Sequence, residues 1–155
     1  MTRVLMSIAL AVVLSSAGRA EEVPADVAAA MTRAKTVCDG KFTTGKGFIT
    51  RPDINGDNEP DVVVRFEHAN CDGTPGVFCG TGGCVTQVFA SLGDGKYALV
   101  MDQTAFRVKF ARRHGLPAMI QHLHGSHCGR AGGEGPCEAV TYWNGAAFTP
   151  AYPLR

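Results

Sequence analysis

The fold is decided by residues 83–101, whose sequence is GCVTQVFASLGDGKYALVM. Two runs rich in apolar residues, Val85–Leu92 and Tyr97–Met101, flank the tripeptide Gly93-Asp94-Gly95. Glycine and aspartate tolerate the positive φ angles of a tight turn, so this pattern is typical of a hairpin connection. The stretch therefore predicts two antiparallel strands joined by a short turn.

A second segment has the same arrangement of residues. In both segments a cysteine is followed five residues later by an aromatic residue, Cys84 by Phe89 and Cys137 by Tyr142. The second segment then reaches Asn144-Gly145, a pair that favours a two-residue hairpin loop. The similarity predicts a second hairpin close to the C-terminus.

The rest of the chain predicts further strands and one helix. Pro24–Val37 places apolar residues such as Val27 and Met31 on one face at helical spacing. Other runs typical of strands are Gly47–Arg51, Val62–Glu67, Phe106–Phe110, Leu116–His124, Val140–Trp143 and Ala146–Thr149. We predict one mainly β, antiparallel domain over residues 21–155, with about seven or eight short strands, hairpins and an N-terminal helix.

Six cysteines bear on the stability of this domain: Cys38, Cys71, Cys79, Cys84, Cys128 and Cys137. An even number in an exported chain favours disulfides over zinc ligation or a reactive thiol. In each of the two similar segments a pair of cysteines brackets a glycine-rich loop, which predicts Cys79–Cys84 and Cys128–Cys137 and leaves Cys38–Cys71. The spacing leaves open a rival pairing among Cys71, Cys79 and Cys84.

The first 20 residues have the features of a secretory signal peptide. A positive charge on Arg3 precedes the apolar run Val4–Leu14, and the small residues Gly18 and Ala20 suit the −3 and −1 positions of a cleavage site. The apolar run is too short to cross ~30 Å of hydrocarbon, so cleavage is favoured over an uncleaved anchor. We therefore predict a leader at 1–20, a periplasmic or secreted location and no integral membrane segment.

The charge balance disfavours a nucleic-acid partner. Removing Arg3 and Arg19 with the leader leaves 13 basic side chains against the 14 acidic side chains of the chain, a net charge of −1. A dedicated nucleic-acid-binding domain is strongly basic. One group of basic residues suits an anionic partner and equally suits a charged edge strand that resists aggregation: Arg107, Lys109, Arg112 and Arg113.

An oxygen-rich loop separates two of the predicted strands. Oxygen-bearing side chains occupy its first, third, fifth and ninth positions, and a backbone carbonyl is available at the seventh; these residues are Asp53, Asn55, Asp57, Asp61 and, for the carbonyl, Glu59. Calcium prefers such oxygen ligands, so the spacing predicts a structural calcium site. The twelfth position is Val64 and not the bidentate glutamate of an EF-hand. The alternative is an Asx-rich turn that needs no metal.

The run Asp-Ile-Asn-Gly-Asp-x-x-x-Asp-Val-Val-Val from Asp53 to Val64 resembles the calcium loop of FG-GAP and VCBS-type repeats. The resemblance implies that the five residues of the loop are the calcium ligands, between two antiparallel strands. It occurs once, so it implies no multi-blade propeller, and Asn58 stands where those repeats usually have glycine. Together with the Cys79–Cys84 loop and the terminal Trp-x-Gly hairpin, the whole chain resembles small exported proteins of proteobacteria, which implies no particular activity.

Three histidines lie close together in the chain: His122, His124 and His127. Residues i and i+2 of a strand share a face, so the first two suit one zinc or copper ion, with His127 or His114 as a third ligand. Solvent-facing or hydrogen-bonded histidines are the alternative. Ser126 lies among them, but no nucleophile-elbow motif is present, which disfavours a serine hydrolase.

These residues together predict an exported, non-enzymatic binding domain with a structural calcium loop and three disulfides. Its partner would be a protein or a component of the cell envelope. One alternative is an inhibitor of a cell-wall lytic enzyme. The other is a metal-dependent hydrolase that uses His122, His124 and His127.

Overall fold

The computed structural model describes residues 23–38, 40–130 and 135–150. The predicted leader, residues 1–20, lies outside these ranges. Within them the chain is mainly β, with three antiparallel sheets and one α-helix at the N-terminal end. The predicted fold class is therefore confirmed.

The helix α1 spans Ala25–Val37, one residue shorter than predicted. Of the strands in the described ranges, six have four or more residues: β3 Val62–Arg65, β7 Gly83–Ser91, β8 Tyr97–Ala105, β9 Arg107–Arg113, β10 Leu116–His124 and β11 Pro136–Trp143. The shorter strands are β1 Phe42–Thr44, β2 Ile49–Thr50, β4 Ala69–Cys71, β5 Thr74–Pro75, β6 Cys79–Gly80 and β12 Phe148–Thr149.

Two larger sheets and one small sheet contain these strands. In the central sheet β2, β3, β7 and β8 are neighbours in that order, and β6 pairs with the start of β7. The outer sheet has the order β12-β11-β10-β9, and the small sheet has the order β1-β4-β5. The predicted hairpins are β7–β8 and β11–β12, so both predictions are confirmed.

The turn of the first hairpin has the backbone that its residues predicted. Gly93, Asp94 and Gly95 all have positive φ angles, of 79°, 51° and 72°. The Leu92 N–H donates to the Lys96 carbonyl at 2.9 Å and closes the turn. Because β-branched residues disfavour positive φ, the apolar runs stop on either side of this tripeptide.

The position of β3 explains its unbroken run of valines. Val62, Val63 and Val64 are all completely buried. Val63 packs in a cluster with Met119 of the outer sheet, whereas Val62 and Val64 pack in a second cluster with Val27 of α1. The central sheet is therefore covered on both faces at β3, so the run Val62–Val64 has no outward-facing position that would favour a polar residue.

The three predicted disulfides are present, and the rival pairing is wrong. Cys38 follows α1 directly and is bonded to Cys71 of β4, which attaches the helix to the small sheet. The Cys79–Cys84 bond joins β6 to the start of β7. The Cys128–Cys137 bond joins the 3-10 helix Gly125–Cys128 to β11.

The described ranges hold twelve strands instead of the predicted seven or eight, because six of them have only two or three residues. Several predicted strand limits are also wrong, including the following three. The strand predicted to reach Glu67 ends at Arg65, because Phe66–His68 forms a 3-10 turn. The last long strand begins at Pro136 and not at Val140, since β11 pairs with β10 as far as His124. Phe106 was predicted on a strand face with Val108, but it lies between β8 and β9 and its side chain is 44 % exposed.

Candidate functional site

Two of the disulfides lie near the same end of β10, close to His124. A Cβ atom built on Gly82 of the first loop would lie 3.4 Å from Thr104 Oγ1 and 4.0 Å from His124 Cβ. In the second loop, Cys137 Sγ lies 3.7 Å from the His124 carbonyl oxygen. We call the region formed by residues 79–84, 104–107, 122–130 and 135–137 the cystine end.

Gly83 shows how tightly the first loop packs at this end. Its φ is +102°, and a Cβ atom there would overlap the backbone of Ala105 and Phe106. Any side chain would therefore force the loop away from the end of β8, in addition to the strain of a positive φ. Glycine at position 83 is thus a packing requirement.

A cavity of about 400 Å³ opens at the cystine end, lined by Phe106, Arg107, His122 and Pro136. Phe106 lies where the chain passes from the central sheet to the outer sheet, and its N–H donates to the His122 carbonyl at 2.8 Å. This hydrogen bond holds the backbone of the corner in place. The phenyl ring therefore remains partly in solvent instead of packing in either core.

Charged groups surround this cavity. His122 is paired across β10 with Arg107 on one side and with Glu138 on the other. Its Nε2 lies 3.8 Å from Glu138 Oε2, and Arg113 Nη2 donates to Glu138 Oε1 at 3.3 Å. Glu138 is thus already engaged by two basic groups, whereas the exposed Arg107 guanidinium borders the cavity. The surface combines an aromatic ring, a cation and an imidazole.

The predicted histidine group is brought together only in part. His122 and His124 share one face of β10, as predicted, but His124 Nδ1 contacts Ser126 Oγ at 2.9 Å and accepts from the Ser126 N–H at 3.4 Å. His127 is exposed on the 3-10 helix, and His114 lies at the turn between β9 and β10. Among the described residues no group of three His, Cys, Asp or Glu side chains is arranged to hold a metal ion.

The contact between Ser126 and His124 is a helix cap. The two residues are neighbours in one turn, and the imidazole accepts from the N–H at the start of the 3-10 helix. A catalytic serine needs a base that is itself oriented by a third group. No such third contact to the His124 ring is seen in the described ranges, so the Ser126–His124 contact is assigned as a cap.

The oxygen-rich loop is closed by its own hydrogen bonds. Asp53 accepts from the N–H groups of Gly56 and Asn58 at 2.6 and 3.1 Å. Asp57 accepts from the Glu59 N–H at 2.8 Å and from the Asn55 side-chain amide at 2.8 Å. These contacts are typical of an Asx-rich turn.

Asp61, the last predicted ligand of this loop, is completely buried. One carboxylate oxygen accepts from the Ile54 N–H and the other from the Ser91 N–H, each at 2.7 Å. Burial raises the pKa of Asp61 above its usual value; the two N–H donors lower it, and repulsion from Asp57 and Asp53 adds to the increase. Asp61 therefore connects the loop to the end of β7.

The loop offers the type of ligand atom that calcium prefers, because all five predicted positions supply an oxygen atom. Burial is the main reason that the pKa of Asp61 is raised, and the Asp57 and Asp53 carboxylates are close enough to add to that increase. Each carboxylate already accepts N–H donors, so an ion would have to share those oxygens. The calcium site stays a prediction.

Comparison of the chain with protein-family models, curated proteins and solved structures finds no match. The resemblance to FG-GAP and VCBS-type repeats therefore stays a prediction from one loop. In the described part of the chain, no helix combines the length and the apolar character needed to cross a bilayer. Three disulfides are typical of proteins that fold outside the cytoplasm.

Sequence reasoning missed two residues of the cavity, Phe106 and Pro136. The alternation of Phe106 with Val108 and Phe110 predicts one buried face, and the end of a strand cannot be located from alternation alone. The sequence does hold one indication that Pro136 lies at this cavity, which is its position directly before Cys137. A disulfide at this cysteine holds the proline against the end of β10.

Proposed function

We propose that this protein is an exported, non-enzymatic binding domain, periplasmic or secreted, that recognises a protein or an envelope component through its cystine end. The observation that carries the proposal is the exposed Phe106 ring beside Arg107, in a cavity of about 400 Å³. Aromatic residues and arginine are enriched in known interfaces, and arginine is frequent among the few residues that dominate their binding energy.

The disulfides support this proposal because they limit the freedom of the free protein. The Cys79–Cys84 bond holds the loop whose Gly83 packs against the backbone of Phe106, and the Cys128–Cys137 bond lies directly after Pro136, which lines the same cavity. A surface that is already ordered loses less conformational entropy when it binds. The complementary partner would present an apolar group for Phe106 and a carboxylate or another anion for Arg107.

An inhibitor of a cell-wall lytic enzyme is the specific form of this function that we favour. Glycoside hydrolases carry paired carboxylates in their clefts, and an exposed guanidinium next to an apolar ring is complementary to such a cleft. Arg107 is exposed and, unlike Arg113, is not the basic group hydrogen-bonded to Glu138. The hydrolase alternative lacks a comparable observation.

Substitution of Phe106 by alanine should weaken partner binding by about 30-fold or more, the usual effect of losing a central aromatic anchor. The test is capture from a periplasmic extract with the oxidised protein, followed by identification of the captured protein and titration against it. Leu92→Ala is the matched control, since Leu92 is 66 % exposed but follows the far end of β7. Equal affinity of Phe106→Ala and wild type, or loss only in the control, would contradict the proposed surface. Capture of a glycan-cleaving enzyme would support the inhibitor form.

We also propose that calcium binds the loop Asp53–Asp61 as a structural ion. Affinity should be modest, on the order of 10⁻⁴–10⁻³ M, because the bidentate glutamate is absent. At ~100 times the dissociation constant, calcium should stabilise the fold by about 2.7 kcal/mol. Thermal unfolding in chelator and in excess calcium measures this shift, and Asp57→Ala should abolish it. If the wild type melts at the same temperature in both solutions, the loop is a turn without metal.

A further inference from the structure

The Arg107 guanidinium has no hydrogen-bond acceptor and no ion-pair partner among the residues that the structure describes. Four other arginines each donate to a protein oxygen atom, at distances between 2.7 and 3.4 Å: Arg65, Arg112, Arg113 and Arg130. Arg107 is exposed and lines the cavity at the cystine end. The cavity therefore contains a cation that is free to bind an anion from outside the molecule.

His122 is a second basic group that lines this cavity. It is paired directly with Arg107 across β10 and β9. Side chains of directly paired residues lie on the same face of an antiparallel sheet, with Cβ atoms ~4.5–5.5 Å apart. The His122 side chain is 34 % exposed. The imidazole and the guanidinium are therefore neighbours on the solvent side of the outer sheet, where both can contact one ligand group.

The other ionisable groups around His122 are already engaged. Besides Arg107 they belong to four residues: His124, Glu138, Arg113 and Arg130. Glu138 lies on β11, on the side of His122 away from Arg107, and it accepts from Arg113. The distance of 3.8 Å from His122 Nε2 to Glu138 Oε2 is too long for a hydrogen bond. The second histidine contacts the start of the 3-10 helix, and the remaining arginine donates to a backbone carbonyl.

We propose that Arg107 and His122 together bind an anionic group that is attached to an apolar group, and that this binding strengthens as His122 becomes protonated. The apolar group contacts the exposed ring of Phe106, which lines the same cavity. The inference rests on the proposed binding function and specifies the partner, which is a protein that presents an ionised carboxylate beside an apolar side chain. An aspartate or glutamate next to an aromatic residue supplies both groups.

The direction of the pH dependence follows from the chemistry of the imidazole. The charge of an imidazole ordinarily changes between pH 5 and 8. The neutral ring has one N–H donor, whereas the protonated ring has two and a positive charge. A bound anion stabilises the charged ring, so the affinity for the anion should increase as the pH falls. Carboxylates of a partner remain ionised over most of this range, so the change comes from His122.

The test uses the oxidised protein with assigned backbone amides and two small probes, naphthalene-2-sulfonate and the neutral 2-naphthol. A cavity of ~150 Å³ holds benzene, so about 400 Å³ accommodates two fused rings. The sulfonate keeps its charge at every pH used. It should shift the amides of Arg107 and His122, with a dissociation constant on the order of 1 mM at pH ~7.5. Its affinity should rise about 3–5-fold at pH ~5.5, and that of 2-naphthol should stay the same.

Three variants separate the contributions of the two basic groups. Arg107→Gln should weaken the sulfonate about 5–10-fold at both pH values and leave 2-naphthol unchanged. His122→Gln keeps an N–H donor but has no charge at any pH, so it should bind the sulfonate like the wild type at pH ~7.5 and show no increase at pH ~5.5. His124→Gln is the matched control, because His124 lies on the same face of β10 but contacts Ser126; it should keep the full increase.

Several results would overturn this inference. One is an equal affinity of the wild type for the sulfonate at both pH values. Another is an increase that persists in His122→Gln or disappears in His124→Gln. A third is an absence of amide shifts at Arg107 and His122 with either probe near its solubility limit. Failure of the proposed binding function alone gives a different result: Phe106→Ala would bind the captured partner like the wild type, while the pH-dependent binding of the sulfonate would remain.

Discussion

The Asp61→Ala variant should lose about 3–4 kcal/mol of its free energy of unfolding. The buried carboxylate of Asp61 is the acceptor for the N–H groups of Ile54 and Ser91. Removing the carboxylate leaves both N–H groups without an acceptor. Each unpaired N–H lowers the free energy of unfolding by roughly 1–3 kcal/mol where water cannot replace the acceptor. Urea denaturation in the presence of chelator measures the loss without any contribution from calcium. Asp57→Ala, an exposed carboxylate in the same loop, should cost less than about 1 kcal/mol; equal losses in the two variants would contradict the structural role of Asp61.

The pH dependence of the unfolding free energy should differ between the wild type, which has a carboxyl group at position 61, and the Asp61→Asn variant, which has an amide there. Burial raises the pKa of Asp61 in the folded protein above its value of 3.8 in the unfolded chain. The folded state then binds the proton more tightly, so this group contributes most to stability below pH 3.8 and loses that contribution as the pH rises through the folded pKa. The difference in unfolding free energy between wild type and Asp61→Asn should therefore decrease as the pH rises from 3.8. An increase over the same range would show that the two N–H donors outweigh burial.

Removal of the Cys38–Cys71 disulfide should cost about 3.5–4 kcal/mol. The bond joins two cysteines that are 33 residues apart in the sequence. When the bond is removed, the unfolded chain gains conformational entropy, and this gain is larger for a longer loop. A paired Cys38→Ala and Cys71→Ala variant, measured by urea denaturation, gives the value. Since a domain is stable by only ~5–15 kcal/mol, this loss is a large share of the total.

The short Cys79–Cys84 loop provides the comparison for this disulfide. Its sequence separation is only 5 residues, so the corresponding double alanine variant should lose about 2 kcal/mol. A larger loss from the short loop would show that cross-linking of the unfolded chain is not the main effect. The loss of stability would then come mainly from disturbed packing of Gly83 against Ala105 in the folded protein.

Much of the fold could be predicted because it depends on residues that are neighbours in the chain. The Gly93-Asp94-Gly95 turn requires three positive φ angles, and few residues other than glycine and aspartate accept them. Asn144 closes the second turn by accepting from the N–H groups of Ala146 and Ala147. The Cys79–Cys84 and Cys128–Cys137 pairs likewise bracket short loops. A local pattern determines such features without reference to the rest of the molecule.

The sequence by itself therefore determined the two hairpins, the helix and the oxygen-rich loop, and it favoured one disulfide pairing. The tertiary structure excluded the rival pairing and decided which side chains act together. Asp61 is 30 residues from Ser91, and only the pairing of β3 with β7 shows that a predicted metal ligand is a buried hydrogen-bond acceptor. Gly82 and His124 likewise meet only because the two sheets stack. Contacts of this kind depend on how sheets pack, and packing depends on all the apolar side chains together instead of on a local pattern. For the same reason, the exposure of Phe106 could be found only in the folded chain.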